Sequence, residues 1–158
     1  MESNTSQILI REARKDDLKA IKSLLDNSSL PFVDIEEHLM NFLVLEVEGN
    51  IIGTIGTELY EDTALLRSLA VDKEYQSKGY GQDLYNALIS KIKKMNVKNI
   101  YLLTETAEGF FNKLGFQKAE RESVPASIKQ TNEFSTLCPE GAVCMVKILN
   151  GNASLITG

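Results

Sequence analysis

The sequence predicts a single α/β domain, and three observations support this prediction. The chain has 158 residues, 43% of them hydrophobic, which is enough for one sizeable core and indicates no second one. Strand-like apolar runs alternate with segments whose apolar residues recur at helical spacing. The connections between these segments are short. We therefore expect one domain over residues 7–149, with flexible termini at residues 1–6 and 150–158.

The first half of the chain predicts a strand, two helices and a hairpin. A short strand is expected at Gln7–Arg11, followed by a helix whose apolar residues from Leu18 to Leu25 share one face. A second, short helix is expected after Pro31. Two further strands, Phe42–Val47 and Ile51–Tyr60, flank a turn that contains glycine, and this pattern favours a tight hairpin.

The second half continues the alternation. Leu65–Val71 is an apolar run typical of a buried strand, and helical spacing of apolar residues extends from Gly81 to about Met95. The remaining expected elements are strand Asn99–Thr104, helix Ala107–Leu114, strand Phe116–Glu120, helix Ser127–Phe134 and strand Ala142–Leu149.

The turn between strand Leu65–Val71 and the following helix has the composition of an anion-binding loop. Its residues are Gln76-Ser77-Lys78-Gly79-Tyr80-Gly81. The first N–H groups of a helix have no intrahelical acceptor and lie at the positive end of the dipole. The two glycines allow close approach of a bulky anion, and the lysine adds a positive charge. The dinucleotide-binding and P-loop patterns do not fit, because the third glycine of the former and the G-K-[ST] of the latter are absent.

This loop resembles the pyrophosphate loop of the GCN5-related N-acetyltransferase (GNAT) superfamily. A second resemblance is the helix Ala107–Leu114, which ends in the pair Gly115-Phe116. Over nearly the whole chain the order of elements is similar to the GNAT fold, which implies a mixed central sheet flanked by helices, with strands that splay apart at the acyl-coenzyme A site. The resemblance implies acetyl-coenzyme A as co-substrate and no metal. Its implied contacts with the cofactor are Leu69, Ala70, Val71, Gln76, Ser77, Lys78, Gly79, Tyr80, Gly81 and Phe111.

A narrower resemblance concerns the GNAT subgroup associated with arsenic-resistance operons. It rests on Leu65–Val71, Tyr101–Phe111, Val124–Ile128 and Glu133–Pro139. The subgroup implies a role in detoxification but does not identify the acetylated molecule.

The resemblance implies direct attack of an amine on the thioester in a ternary complex. Amine deprotonation then needs a base, for which Glu58 is the first candidate and Glu105 the second, because each lies near a strand end. A solvated surface carboxylate is the alternative for both residues. Arg67 is a candidate anchor for a substrate carboxylate or an arsenical oxyanion, with a structural salt bridge as the alternative.

Two positions depart from the family pattern. Phe111 stands where many relatives have the tyrosine that protonates the leaving thiolate, and Thr104 stands where many have asparagine. Phenylalanine has no acidic proton, so we expect Phe111 to pack against the cofactor or in the core. Water would then supply the proton, or one of the five tyrosines: Tyr60, Tyr75, Tyr80, Tyr85 and Tyr101.

Composition limits the other functions. A net charge of -5 and a pI of about 5.0 argue against nucleic-acid or anionic-membrane binding, which require a broad basic surface. Without an apolar segment of spanning length or a signal segment, the expected location is the cytoplasm. Cys138 and Cys144 are expected to be reduced, packed thiols, although thiol coordination of trivalent arsenic is an alternative. The single histidine, His38, is expected to be a surface or locally bonded residue rather than a base.

The leading functional hypothesis is N-acetylation of a small amine, either an amino acid-like or an arsenic-containing compound. A protein or peptide amine is the second enzymatic hypothesis. The non-enzymatic one is an acyl-coenzyme A or arsenical sensor, which Phe111 and the two cysteines make credible. The oligomeric state is left open, with a homodimer compatible with the family.

Overall fold

The computed structural model describes residues 7–131, 134 and 142–149. Seven strands form a mixed sheet in the order β1-β2-β3-β4-β5-β7-β6. The strands are β1 Ile8–Glu12, β2 Phe42–Val47, β3 Asn50–Tyr60, β4 Thr63–Val71, β5 Asn99–Thr104, β6 Gln117–Lys118 and β7 Val143–Ile148. The helices are α1 Leu18–Asn27, α2 Ile35–His38, α3 Tyr80–Lys93, α4 Glu108–Lys113 and α5 Ala126–Lys129. This architecture confirms the predicted fold class.

The chain forms two compact units. One contains the described residues up to Thr57 together with Ser68–Lys91, and the other contains Glu58–Arg67 together with the described residues from Ile92 onward. No helix within the described ranges is long and apolar enough to cross a bilayer.

In the first unit, antiparallel pairing fixes the strands β1, β2 and β3. In the β1–β2 pair Ile8 lies opposite Val47, and in the β2–β3 pair Val47 lies opposite Asn50. The predicted hairpin turn is present, with Glu48 and Gly49 both at positive φ (52° and 84°). Two such residues match the twist of the flanking strands, which is why glycine favours this turn.

Helix α1 covers one face of this unit through its apolar side. Ile21 and Leu25 are fully buried, and they cluster with Phe42 and Val44 of β2 and with Ala70 of β4. The spacing of three to four residues that predicted the helix therefore also provides its contact with the strands.

In the second unit, β5 pairs in parallel with β4 and antiparallel with β7. The β4–β5 ladder ends at the Leu65–Tyr101 pair, although β5 continues to Thr104. The parallel ladder therefore comprises three residue pairs. The core of this unit contains Leu65, Val124, Ile128, Phe134 and Cys144.

The ends of two elements of the second unit differ from the predicted ones. Helix α5 ends at Lys129, and just beyond it the Thr131 N–H and hydroxyl both donate to the Ile128 carbonyl while the hydroxyl accepts the Phe134 N–H. Strand β6 ends at Lys118 because the chain turns into a 3₁₀ segment at Arg121–Ser123. The expected strand to Glu120 was therefore too long, whereas part of the expected helix to Phe134, residues 132 and 133, lies outside the described residues.

Candidate active site

The expected anion loop lies between β4 and α3 in the first unit. A 3₁₀ turn, Lys73–Tyr75, precedes the loop, and Asp72 caps this turn by accepting the Glu74 N–H at 2.9 Å. The Tyr75 N–H donates to the Asp72 carbonyl at 2.8 Å. These bonds fix the path of the chain from the end of the strand to Gln76.

The loop itself contains two residues with positive φ, Ser77 at 67° and Gly79 at 86°. Alternation of this backbone geometry turns successive N–H groups toward a common point, which is the geometry of an anion-binding nest. A Cβ built on Gly79 would meet no protein atom within 4 Å. Glycine is therefore required for the backbone conformation and for access to the loop, and not to avoid a neighbouring side chain.

Helix α3 opens immediately after this loop. It begins at Tyr80, and the Asp83 N–H donates to the Gly79 carbonyl at 3.0 Å. The N–H groups of the three preceding residues lie in the first turn, where an α-helix has no internal acceptor. Together with the exposed Lys78, they provide the positive end that a phosphate requires.

Gln76 is bound to the end of the strand. Its side-chain Nε2 donates to the Val71 carbonyl at 2.9 Å. Asp72, which follows Val71 in the chain, donates its N–H to the Ile52 carbonyl of β3 at 2.7 Å. Of the three strand-end residues expected to contact the cofactor, Ala70 is buried against α1, whereas Leu69 and Val71 are partly exposed.

A cavity of about 570 Å³ lies beside the strand end. The C-terminal end of α1 lines one side of this cavity with Leu24, Asn27 and Ser28. The other side is lined by Val71, Asp72, Lys73, Glu74 and Gln76. Sequence analysis did not select these α1 residues, since neither their type nor their spacing carries a motif.

Backbone geometry also changes within β4. Ser68 is at φ 61° although it is not a glycine. A left-handed residue interrupts the alternation of side chains along a strand. The regular alternation of side chains along β4 therefore does not continue across Ser68.

Glu58, Tyr60 and Arg67 form a polar cluster in the second unit. Arg67 Nη1 donates to Glu58 Oε2 at 2.7 Å, and the Tyr60 hydroxyl donates to Glu58 Oε1. The residues Glu58 and Arg67 are each only 2% exposed. Both carboxylate oxygens therefore carry a hydrogen bond, and the ion pair is shielded from water. Sequence analysis selected Glu58 and Arg67 separately but did not pair them.

The segment that follows β5 holds the second candidate base. Glu105 is exposed, and the Thr104 hydroxyl accepts the Ala107 N–H at 2.9 Å. This hydrogen bond orders the chain just before helix α4. It gives Thr104 a structural role at the position where many relatives carry asparagine.

Phe111 lies in α4 and is 5% exposed. Its ring makes edge-on contacts with Phe110 and Phe116, at centroid distances of 5.1 and 5.5 Å. At the end of the helix, Gly115 adopts φ 100° and Lys147 Nζ donates to the Leu114 carbonyl at 2.6 Å. Burial lowers the pKa of Lys147. The predicted Gly-Phe cap thus anchors an aromatic cluster.

The tyrosines differ in their suitability as proton donors. Burial raises the pKa of Tyr85 to about 12. The pKa of Tyr101 is also raised, first by burial and then by the neighbouring Cys144. Both are therefore weaker acids than a free phenol. Tyr75 immediately precedes the anion loop and Tyr80 lies in it, with their ring centroids 6.4 Å apart.

The remaining candidates are locally bonded or buried. His38 Nε2 lies 3.8 Å from Asp34 Oδ2, one helical turn earlier. Cys144 is 4% exposed, and burial raises the pKa of its thiol while Arg121 opposes that shift. Cys138 lies outside the described residues, as does most of the segment Glu133–Pro139 that contributed to the narrower resemblance.

Comparisons with known proteins identify the family of this chain. Residues 38–118 match the acetyltransferase (GNAT) domain family. An uncharacterised N-acetyltransferase of Chlorobaculum tepidum is 30% identical over 152 residues, which span 89% of this chain and 96% of that protein. An amino-acid acetyltransferase of Mycobacterium tuberculosis is 27% identical over 140 residues, which span 82% of this chain and 77% of that protein.

Among solved structures, N-acetylglutamate synthase from Neisseria gonorrhoeae, complexed with coenzyme A and N-acetyl-glutamate, has a TM-score of 0.79 at 22% identity. The match covers 93% of this chain and 36% of the synthase chain, so this chain spans about a third of that protein. At this identity the likeness shows the fold. From the family match and the Chlorobaculum relative together, the chain belongs to the GNAT family and carries an N-acetyltransferase domain.

Proposed function

We propose that this protein transfers the acetyl group of acetyl-coenzyme A to the primary amine of an amino acid-like small molecule. The observation that carries the proposal is the loop before α3, where two positive-φ residues and a helix N-terminus present N–H groups to an anion. A pyrophosphate meets those requirements. Coenzyme A in the synthase complex supports the choice of cofactor.

In the proposed reaction the neutral amine attacks the thioester carbonyl directly. The C–N bond forms, the C–S bond breaks, and the amine gives up one proton. Leu69 and Val71 at the end of β4 would align the pantetheine arm through main-chain hydrogen bonds, and this alignment supplies much of the rate because the thioester is already activated. The departing thiolate takes a proton from water, since Phe111 has none to donate.

Glu58 is the proposed proton acceptor, with Glu105 as the alternative. A carboxylate bonded by Tyr60 and Arg67 is held in one orientation, which is a requirement for an effective base. Protonation of Glu58 would remove the negative charge that lies 2.7 Å from the buried Arg67 guanidinium. A substrate carboxylate close to Arg67 would replace that charge, and this is the physical reason to favour an amino acid over a simple amine.

The relatives point to the same acceptor class. The Mycobacterium tuberculosis relative is an amino-acid acetyltransferase, and the Neisseria synthase was solved with N-acetyl-glutamate. An arsenic-containing amino acid is the narrower version of this proposal. Part of the sequence resemblance behind it, Val124 and Ile128, lies in the hydrophobic core, where a packing role accounts for the apolar residues.

The test is a screen for acetyl acceptors. The protein would be incubated with acetyl-coenzyme A and L-amino acids, polyamines, aminoglycosides, a lysine peptide or an organic arsenical, and product mass and coenzyme A release would be measured. We expect an N-acetylated amino acid. Acetylation of the peptide alone would contradict the substrate class. Cofactor binding without turnover of any acceptor would favour the sensor hypothesis.

A further inference from the structure

The side chain of Gln76 is directed back to the strand that precedes the anion loop. Nε2 donates to the Val71 carbonyl at 2.9 Å. Val71 is the last residue of β4, so this bond joins the end of the strand to the first residue of the loop. The side chain is exposed, and the bond is therefore not required to satisfy a buried group.

Three further hydrogen bonds act on the same short segment. Asp72 donates its N–H to Ile52, accepts the Glu74 N–H on its side chain and accepts the Tyr75 N–H on its carbonyl. The Gln76 backbone N–H also donates to the Lys73 carbonyl, at 3.4 Å, so the turn restrains the chain as far as Gln76. The Gln76–Val71 bond is the shorter of the two bonds that Gln76 makes, and it joins the residue immediately before Ser77, the first loop residue with positive φ, to the end of the strand.

We propose that Gln76 is a positioning residue that orders the end of β4 and the start of the loop together, and that it acts on the cofactor through Val71. The inference rests on the proposed use of acetyl-coenzyme A. Ordering a mobile segment before the ligand arrives lowers the entropic cost of binding. Removing the bond transfers that cost to the binding step.

This role has a consequence that a direct phosphate contact does not have. The partner of Gln76 is the strand end where the pantetheine arm is expected to bind. Loss of the bond therefore weakens the binding of pantetheine, which carries no phosphate, as well as that of coenzyme A. A residue that contacts only the pyrophosphate affects coenzyme A alone.

The experiment compares both probes on the same variants. Dissociation constants for coenzyme A and for pantetheine would be measured by amide chemical-shift titration on the wild type, Gln76→Met and Gln76→Arg. Methionine keeps the length of the side chain but has no N–H donor, whereas arginine retains donors. Lys78→Gln serves as the reference for a phosphate contact, and thermal unfolding confirms that each variant is folded.

We expect Gln76→Met to raise the dissociation constants of coenzyme A and of pantetheine about fivefold, which is the effect of one hydrogen bond. Gln76→Arg should restore pantetheine binding. Lys78→Gln should weaken the binding of coenzyme A more than the binding of pantetheine. Loss of coenzyme A affinity alone in Gln76→Met, no loss of either, or failure of arginine to restore pantetheine binding would each overturn the inference. Failure of the wild type to bind coenzyme A would instead overturn the proposed function.

Discussion

The Arg67 guanidinium donates to the Glu58 carboxylate at 2.7 Å, in an ion pair that is almost completely shielded from solvent. Such a pair costs desolvation energy, and removing one partner leaves the other charge buried. The two residues proposed as base and substrate anchor are therefore coupled. Each variant must be interpreted through its effect on the other residue.

Glu58→Gln should reduce the rate most at low pH. A base matters most where few amines are already neutral. The same change removes the carboxylate charge beside the buried Arg67 and should lower the free energy of unfolding by about 3 kcal/mol. pH–rate profiles and urea unfolding would measure the two effects separately. If Glu58→Gln keeps the native pH profile and the matched variant Glu105→Gln shifts it, the base is Glu105.

Arg67→Lys should mainly raise KM for acidic acceptors. Lysine keeps the positive charge but cannot donate two parallel hydrogen bonds to the carboxylate of a substrate, as arginine can. Saturation curves would be compared for an amino acid and for the corresponding neutral amine. An unchanged preference between these acceptors would assign Arg67 a structural role only.

Gly79→Val should abolish binding of coenzyme A while the protein stays folded. Valine disfavours the φ of 86° and narrows the approach to the loop, but it meets no neighbouring protein atom. Gly49→Val is the matched control, because Gly49 has φ 84° and equally open surroundings in the β2–β3 hairpin. Calorimetric titration should show cofactor binding in the control. Equal affinities in the two variants would remove the loop from the cofactor site.

Phe111→Tyr should remain active, since the reaction does not depend on a proton from this position. Phe111→Leu should lower stability by about 1 to 2 kcal/mol through lost contacts with Phe110 and Phe116, with modest loss of turnover. Chemical denaturation and coenzyme A release would measure both. Complete loss of turnover in a folded Phe111→Leu variant that binds the cofactor would show that the ring positions the thioester.

The sequence predicted features whose local chemistry has few solutions. Glycine at position 49 between two apolar runs indicated a hairpin, and the structure forms it with positive φ at Gly49. The loop at Gly79 followed from the same type of argument. In both cases a backbone conformation selects the residue type.

Other features depend on partners that are distant in sequence or have no residue preference. The positive φ of Ser68 could not be predicted, because serine rarely adopts it and has no motif there. The Arg67–Glu58 pair depends on the register of two strands. The cap from Thr104 to Ala107 requires a hydroxyl in one rotamer. Patterns of apolar residues contain none of this information.

The free energy of unfolding should fall in acid partly because of Asp17. The Arg11 guanidinium donates to both oxygens of this carboxylate at 2.8 and 3.0 Å, and the Arg14 N–H donates at 2.7 Å. These hydrogen bonds, led by that from Arg11, lower the pKa of Asp17 below its ordinary value of 3.8. Their stabilisation is therefore present above about pH 4 and is lost as the pH falls through the lower pKa of the folded state.

Asp17→Asn should lower the free energy of unfolding at pH 7 by roughly 1.5 to 3 kcal/mol, the usual contribution of hydrogen bonds to a charged group. Its stability should also fall less steeply than that of the wild type below pH 4, so that the two curves converge in acid. Urea unfolding from pH 7 to pH 3 would measure this difference. Asp16→Asn removes the same charge from the exposed neighbouring position and should follow the wild-type curve. Parallel curves for wild type and Asp17→Asn over the whole range would show that the Arg11–Asp17 pair does not control acid stability.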